Sequence, residues 1–330
     1  MSSTLLARYA ECIFWLARYI ERAENLARIL DVNETFNRDS RGSQNWLSIV
    51  QLYANDEAFF AKHAVATVDA VLRFYVTDIE NPHSIIASVR NARENARTLR
   101  PLISTEMWVQ LNMFYNRLKT IDSGDLTLGN LNRLFSWVKE ACQTHTGITE
   151  GTFYRDEGWY FYQLGRYIER GDETTRLLDI KYHLLLPRIA DVGSPIDASQ
   201  WSALLRSAAG YHAFRRLHAT GQLPTRVAGF MLLNRRFPRS VFHCVDEIDS
   251  LLTGLRSRYD LRGGNGASEA IDELRALLAG HSIEYILSQG LHEFLDLVQR
   301  LLINITSQMN IAFFGHAPPE QVQAQGQIQS

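Results

Sequence analysis

The sequence FWLARYIERAENLARILD at residues 14–31 returns as YQLGRYIERGDETTRLLD at residues 162–179. The two copies align without a gap at a constant offset of 148 residues, and nine of their eighteen positions are identical. Apolar residues recur at helical spacing and neither copy contains proline, so each copy predicts a long amphipathic helix. We call these the two Glu-Arg helices.

Charged residues follow one face of each Glu-Arg helix when the residues are placed at about 100° per step. The members of this Glu-Arg stripe, a candidate functional site, are Arg18, Glu21, Arg22, Arg28, Arg166, Glu169, Arg170 and Arg176. A solvated face is one interpretation, because local ion pairs stabilise a helix by only about 0.3–0.5 kcal/mol. The charged residues of the stripe are nevertheless identical in the two copies, whereas neighbouring positions differ: Ala23 aligns with Gly171, and Leu26 aligns with Thr174. We therefore favour stripes that face each other or a ligand, since lysine cannot replace the paired geometry of arginine and carboxylate.

Two weaker matches extend the repeat. Residues 82–85 resemble residues 238–241 at an offset of 156, and residues 131–154 resemble residues 291–314 at an offset of 160. Because no stretch alternates with period two, the chain is predicted to be all-α, a helical bundle built from two similar halves by internal duplication. We expect a first helical repeat at 1–150, a second at 151–317 and a disordered tail at 318–330, with both repeats in one compact domain.

Local signals place the remaining helices. Two helices are expected over Asn45–Tyr75, and Pro82 is expected at the first position of a helix that ends near Arg100. Further helices are predicted at Thr105–Thr120 and at Leu128–His145, and the second Glu-Arg helix is predicted to open at Asp156.

Composition limits the compartment and the partners. The 330 residues carry a net charge of only -2, so the whole molecule has no electrostatic preference for nucleic acid or for an anionic membrane. The three cysteines form neither a disulfide framework nor a zinc spacing, which favours a reducing compartment, the cytoplasm. We expect neither a signal peptide nor a membrane-spanning segment.

Arginines are concentrated where acidic residues are missing. Residues 198–245 contain no Asp or Glu, and the candidate anion or partner surface in this segment consists of Arg215, Arg216, Arg226, Arg235, Arg236 and Arg239. Such a surface would suit an acidic protein, an acidic peptide or a nucleotide. The equally weighted alternative is that several of these arginines fold back onto the carboxylates of the Glu-Arg helices.

Signatures of catalytic chemistry are missing from the sequence. The one Glu-x-x-His spacing, Glu80 to His83, contains Pro82 at a helix entry, which disfavours a di-iron site. The glycines at 263–266 lack the Lys-Ser/Thr of a phosphate loop, and there is no nucleophile elbow. We therefore predict no metal and no cofactor, and lean towards a protein that is not an enzyme.

The two Glu-Arg helices resemble the bacterial alpha-E domain family over nearly the whole chain, together with the opening LARYAE at residues 6–11 and the segment GRYIERGDET at residues 165–174. In this sequence the Glu-Arg motif of the family corresponds to Glu21-Arg22 and Glu169-Arg170. The resemblance implies partners, because members are typically encoded beside, or fused to, a circularly permuted ATP-grasp protein and a transglutaminase-like protein. It also implies a role in peptide synthesis or modification, with such partners expected here as separate chains.

Three functions follow as hypotheses. The leading one is an accessory or substrate-binding subunit of an ATP-grasp ligase system, in which arginine forks capture a carboxylate or phosphate. The second is a stand-alone enzyme with Glu21 or Glu169 as general base and an arginine that positions an anion. The third is a purely structural dimerisation module, and a homo-oligomer is compatible with all three.

Overall fold

The computed structural model describes residues 5–39, 46–185, 195–218, 224–261 and 263–316. Every regular element in these ranges is helical and none is a strand, which confirms the all-α prediction. The predicted tail at 318–330 lies outside them. Within the described ranges, π-helical turns occur at Arg73–Thr77 and Asn310–Phe314. The α-helices are α1 Ala7–Asp39, α2 Leu47–Leu52, α3 Asp56–Phe60, α4 Val68–Leu72, α5 Ile85–Thr98, α6 Thr105–Leu118, α7 Leu128–Thr152, α8 Glu157–Leu185, α9 Pro195–Ser207, α10 Tyr211–Leu217, α11 Pro224–Leu233, α12 Val241–Tyr259, α13 Asn265–Ala279, α14 Ile283–Gln289 and α15 Leu291–Met309.

The two Glu-Arg helices, α1 and α8, pack against each other at the centre of the bundle. Helix α1 also packs against α5 and α7, and α8 also packs against α12 and α15. The two backbones approach each other closely at Gly165, where a Cβ atom would lie only 2.3 Å from the carbonyl oxygen of Phe14. Glu21, Arg28 and Glu169 are all buried, so the interpretation of the stripe as a solvated face is wrong. The facing sides of the two helices lie inside the bundle, which is why these charged residues are buried.

Matching serine caps begin α5 and α12. The Ser84 hydroxyl accepts a hydrogen bond from the Ala87 N–H at 3.1 Å and donates to the Asp78 carbonyl at 2.6 Å. The Ser240 hydroxyl accepts from the N–H three residues on and donates to the carbonyl six residues back in the same way. Because a capping side chain satisfies an N–H group without an intrahelical partner, Ser84 sets the start of α5 at Ile85. The prediction that Pro82 is the first helical residue is wrong for this reason.

Matching left-handed turns follow α2 and α9. Ala54 has φ 48° and Ala209 has φ 56°, a conformation that alanine rarely adopts. Each of the two N–H groups donates to the carbonyl three residues back at 2.9 Å. The first turn ends α2 after six residues, so the prediction of two helices over Asn45–Tyr75 is wrong: three short α-helices and a π-helical turn occur there.

These elements recur in the same order in both parts of the chain. A buried tryptophan, Trp46 or Trp201, precedes the left-handed turn, and the serine cap follows it. The helices α1, α5 and α7 then correspond to α8, α12 and α15 in their packing. The matching geometry agrees with the prediction that one helical unit was duplicated. The duplication stays a prediction, as does the boundary between the two repeats at residue 150.

Candidate functional site

The carboxylate of Glu169 on α8 is held by two arginines of α1. Its Oε1 accepts a hydrogen bond from the Arg22 Nε at 2.5 Å, and its Oε2 accepts from the Arg18 Nε at 2.6 Å. Burial alone would raise the pKa of Glu169, but Arg22 and Arg18 outweigh it and hold the pKa at about 2. Glu169 is therefore ionised at neutral pH inside the bundle.

The carboxylate of Glu21 on α1 is held in the reverse direction. Arg170 on α8 donates from Nε and Nη2 to its two oxygens, each at 2.8 Å, and Arg239 donates from Nη1 at 3.0 Å. Burial opposes ionisation, but Arg170 and Arg239 hold the pKa of Glu21 well below its usual range. Each Glu-Arg motif therefore supplies a carboxylate to the other helix and an arginine to the partner carboxylate.

Arg239 belongs to this network and not to the predicted anion or partner surface. Besides Glu21, it donates to the Asn25 side chain at 3.0 Å and to Glu24 at 2.5 Å, and its side chain is only 12% exposed. The placement on a surface is thus wrong for Arg239, because the cap at Ser240 brings the preceding residue over α1. The alternative, in which arginines of this segment fold back onto the Glu-Arg carboxylates, is correct for this residue.

The other members of the predicted surface lie on the outside. Arg235 stacks on the Phe242 ring at 3.9 Å and pairs with Asp246 at 3.4 Å. Arg215 and Arg216 are exposed in the last turn of α10, and the remaining exposed members are Arg226 and Arg236. Their binding of an anionic partner stays a prediction.

Two further arginines tie the Glu-Arg helices to the left-handed turns. Arg28 bonds Glu24 with Nε and Nη2 and donates from Nη1 to the Ser207 carbonyl. Arg176 donates from Nε to Asp172 at 3.1 Å and from Nη1 to the Leu52 carbonyl at 3.0 Å. Arg166, the remaining member of the stripe, departs from the pattern. It pairs with Glu150 at 3.1 Å instead of reaching Glu21.

The stripe thus forms two matching clusters that share a frame and differ in chemistry. The Glu21 cluster comprises Glu21, Glu24, Asn25, Arg28, Arg170 and Arg239. The Glu173 cluster comprises Glu169, Asp172, Glu173, Arg176, Arg18, Arg22, Tyr53 and His83.

Three positions distinguish the clusters. His83 stands where the other cluster has Arg239, because each lies immediately before a serine cap. Glu173 aligns with Asn25 at the offset of 148. Tyr53 lies immediately before the left-handed turn at Ala54, and its ring packs against the Arg176 guanidinium. Neither His83 nor Tyr53 was predicted from the sequence as a site residue, although the match of residues 82–85 to 238–241 already aligned His83 with Arg239.

Glu173 lies in an environment opposite to that of Glu21. Its side chain is buried, and in the described residues one hydrogen bond reaches it, from the Tyr53 hydroxyl to Oε2 at 3.0 Å. Burial, opposed by Arg176 and assisted by Glu169 and Asp172, raises the pKa of Glu173 to about 8. This carboxyl group is consequently protonated at neutral pH.

His83 lies at the partly exposed edge of the same cluster. Its ring centroid is 6.1 Å from that of Tyr53. Burial lowers the pKa of His83, and Arg22 and Arg176 lower it further, to about 4. The imidazole is therefore neutral in a positive field.

One histidine outside the stripe lies between two carboxylates. His292 contacts Asp179 at 2.9 Å and Asp296 at 3.8 Å, a set that could hold a metal ion. Burial lowers the pKa of His292, but the hydrogen bond to Asp179 outweighs it and raises the pKa. The hydrogen bond between His292 and Asp179 accounts for this geometry, and the expectation of no metal stays a prediction.

The ionisation of the stripe bears on the hypothesis of a stand-alone enzyme. A general base works best when its pKa lies near the working pH. Glu21 and Glu169, the two bases that the hypothesis named, have strongly lowered pKa values and are each held by two guanidinium groups. The geometry therefore does not favour either residue as a general base.

The chain belongs to the alpha-E family, described as a predicted α-helical domain with a conserved ER motif, whose model matches residues 5–314. Similar proteins include an uncharacterized protein of Mycobacterium bovis and two of Mycobacterium tuberculosis strains, each 23% identical over 292 residues. These alignments cover 81% of this chain and 31% of each relative, so the chain spans about a third of their length. No solved structure matches significantly. Across the described helices, none combines the length and apolar character that a membrane crossing requires.

Proposed function

We propose that the protein is a helical accessory or substrate-binding subunit that works with a circularly permuted ATP-grasp protein and a transglutaminase-like protein in peptide synthesis or modification. The resemblance that motivates these partners covers residues 5–314. In the longer relatives the matched region shares its chain with other sequence, which suits a unit that acts beside further domains. The cytoplasm, inferred from cysteine usage, is part of the proposal.

The observation that carries an accessory role is the internal pairing of the Glu-Arg stripe. Glu21 and Glu169 are saturated by arginines, and the side-chain exposures of these two residues are 3% and 1%. Removing one member of such a buried pair leaves an uncompensated charge, so we expect loss of either glutamate to weaken the packing of α1 against α8. This arrangement supports a framework role for the motif and leaves partner binding to other surfaces.

The exposed arginines offer a surface for those partners. Arg215, Arg216, Arg235 and Arg236 project from the segment without acidic residues. Charges at the rim of an interface mainly affect association rate and salt dependence, so an acidic partner should be held in a salt-sensitive manner.

Co-purification of the untagged native complex, followed by mass spectrometry of the bound proteins and small molecules, tests the proposal. We expect the ATP-grasp protein and the transglutaminase-like protein to be recovered with the parent chain. Recovery should fall with rising salt and in the folded variants Arg215→Glu/Arg216→Glu or Arg235→Glu/Arg236→Glu. Recovery of the chain without either protein at low salt would contradict the assigned partners.

A further inference from the structure

The arginines of the Glu173 cluster are more exposed than the matched arginines of the Glu21 cluster. The side chain of Arg22 is 16% exposed and that of Arg170 is 7% exposed. Arg176 is 21% exposed, whereas Arg28 is 5% exposed. The same frame therefore buries its arginines almost completely on one side and leaves them partly exposed on the other, which we call the open side.

The open side also has unused hydrogen-bond donors. Arg170 gives both Nε and Nη2 to Glu21, but Arg22 gives only Nε to Glu169. Within the described residues, neither Nη atom of Arg22 has a hydrogen-bond partner, and the same holds for the Nη2 atom of Arg176. Guanidinium N–H groups arranged in a fork match the planar geometry of a carboxylate and also bind phosphate.

The residue at the position of Arg239 explains why this side is open. In the Glu21 cluster the Arg239 guanidinium fills the space above the carboxylates and bonds three side chains. In the Glu173 cluster His83 occupies that position with a shorter side chain, which remains partly exposed. The chain thus supplies its own closing group in one cluster and omits it in the other.

The local field at this opening is positive. Arg22 and Arg176 lower the pKa of His83 by more than Glu169 and Asp172 raise it, so these four charges together give a positive potential at the imidazole. Glu173 does not offset this potential at neutral pH, because its pKa is about 8. An anion at this opening would gain electrostatic energy that a cation would not.

We propose that the Glu173 cluster is an oxyanion-binding site, in which the free N–H groups of Arg22 and Arg176 beside His83 bind a carboxylate or phosphate group of a small ligand. This inference deepens the proposed function by naming the chemical class that a substrate-binding subunit would hold. It is tested on the isolated chain, so its failure leaves the partner assignment unaffected.

Ionisation of Glu173 gives the site a pH dependence. The charged and titratable groups around it are Arg176, Glu169 and Asp172 on α8, Arg22 on α1, and Tyr53 and His83 on the neighbouring loops. Above pH 8 Glu173 becomes a carboxylate and repels a bound anion. Binding should therefore weaken as the pH rises through about 8.

Calorimetric titration of the full chain with glutarate and with inorganic phosphate, at constant ionic strength, provides the test. Glutarate as the tighter ligand identifies a carboxylate source, and phosphate as the tighter ligand identifies a phosphate source. Arg22→Gln should weaken binding of the preferred anion by at least about tenfold, because it removes hydrogen bonds from a charged group. The control variant Arg73→Gln removes an exposed guanidinium that lies outside both clusters, so it should change the affinity by less than about twofold.

A second variant keeps the test decisive if Arg22→Gln does not fold. Glu173→Gln preserves the shape of the side chain but cannot ionise, so it should bind the anion and lose the weakening above pH 8. Two results would overturn the proposal: no binding of either anion, or equal losses of affinity in the two arginine variants. Binding of methylguanidinium more tightly than of either anion would also overturn it, because it would point to the unpartnered Asp172 Oδ1 as the binding group. An unchanged pH profile in Glu173→Gln would also overturn it.

Discussion

The Glu21 cluster and the Glu173 cluster show how one frame can serve two purposes. Both use an arginine on each Glu-Arg helix, a left-handed turn and a residue before a serine cap. The Glu21 cluster is completed by Arg239, and its carboxylates are ionised and enclosed. The Glu173 cluster has a neutral imidazole and a carboxyl group with a raised pKa in the corresponding places. Among the described residues, complete pairing leaves the first cluster no free guanidinium fork for a ligand, and incomplete pairing leaves the second available to one.

Loss of a central carboxylate should have the largest effect. Glu21→Ala removes both hydrogen bonds of the buried Arg170 guanidinium and one of the three acceptors of Arg239 in the described part of the chain. Glu169→Ala likewise removes the carboxylate partner of Arg22 and leaves Arg18, within the same residues, with Thr306 alone. We expect each variant to lose about 3–5 kcal/mol of unfolding free energy, measured by denaturant unfolding. As a control, Arg73→Ala breaks an exposed pair with Asp69 and should unfold like the parent. Normal stability of Glu21→Ala with loss of function would instead assign the stripe to ligand binding.

The ionisation of Glu173 should make the two clusters respond differently to pH. Between pH 6.5 and 8 the unfolded state has lost the Glu173 proton while the folded state still holds it, because the folded pKa is about 8. The stabilisation from this proton is present at low pH and is lost as the pH rises through about 8. Glu173→Gln should therefore gain stability relative to the parent across this window.

Glu21→Gln provides the control in the other cluster. The pKa of Glu21 lies well below its usual range, so its carboxylate is ionised in both the folded and the unfolded state between pH 6.5 and 8, and its removal should add no slope in this window. Unfolding free energies at half-unit pH steps measure both slopes. Parallel curves for the parent and Glu173→Gln would contradict the protonated state of Glu173.

Removal of the Tyr53 hydroxyl should have a moderate effect confined to the Glu173 cluster. Tyr53→Phe removes the hydrogen bond to Glu173 and should cost about 0.5–1.5 kcal/mol, with a further rise of the Glu173 pKa. Denaturant unfolding of Tyr53→Phe and of the double variant with Glu173→Gln forms a cycle. Additive losses in that cycle would show that the two side chains are not coupled.

The smallest effect should come from the two left-handed turns. Ala54→Gly and Ala209→Gly relieve a Cβ clash at positive φ but increase the entropy of the unfolded chain, so each should change stability by at most about 1 kcal/mol, towards stabilisation. Similar shifts in melting temperature would agree with equivalent turns. Opposite shifts would show that the backbone strain at Ala54 differs from that at Ala209 despite their similar φ angles.

The repeated sequence was sufficient to predict the two long helices and the all-α fold. It also predicted correctly that the charged faces of the Glu-Arg helices meet. The signal was that the arginines and glutamates of the stripe are identical in the two copies, whereas small and apolar residues between them differ. It did not predict the loops over Asn45–Tyr75, since a left-handed turn at Ala54 carries no glycine or asparagine to signal it. The placement of Arg239 on the surface also failed, because the compensating carboxylates lie more than two hundred residues away.

The sequence by itself determined the family, the helical fold and the charge inventory of the stripe, because helical periodicity and repeated motifs are local properties of the chain. Only the tertiary structure decided which cation meets which carboxylate, and hence which carboxyl group stays protonated. A pKa depends on burial and on charges brought close by folding, so Glu21 and Glu173, four positions apart by the repeat, acquire opposite ionisation. Folding also gives His83 and Arg239 different roles, although each lies immediately before a serine cap. Arg239 completes the Glu21 cluster, and His83 leaves the Glu173 cluster open.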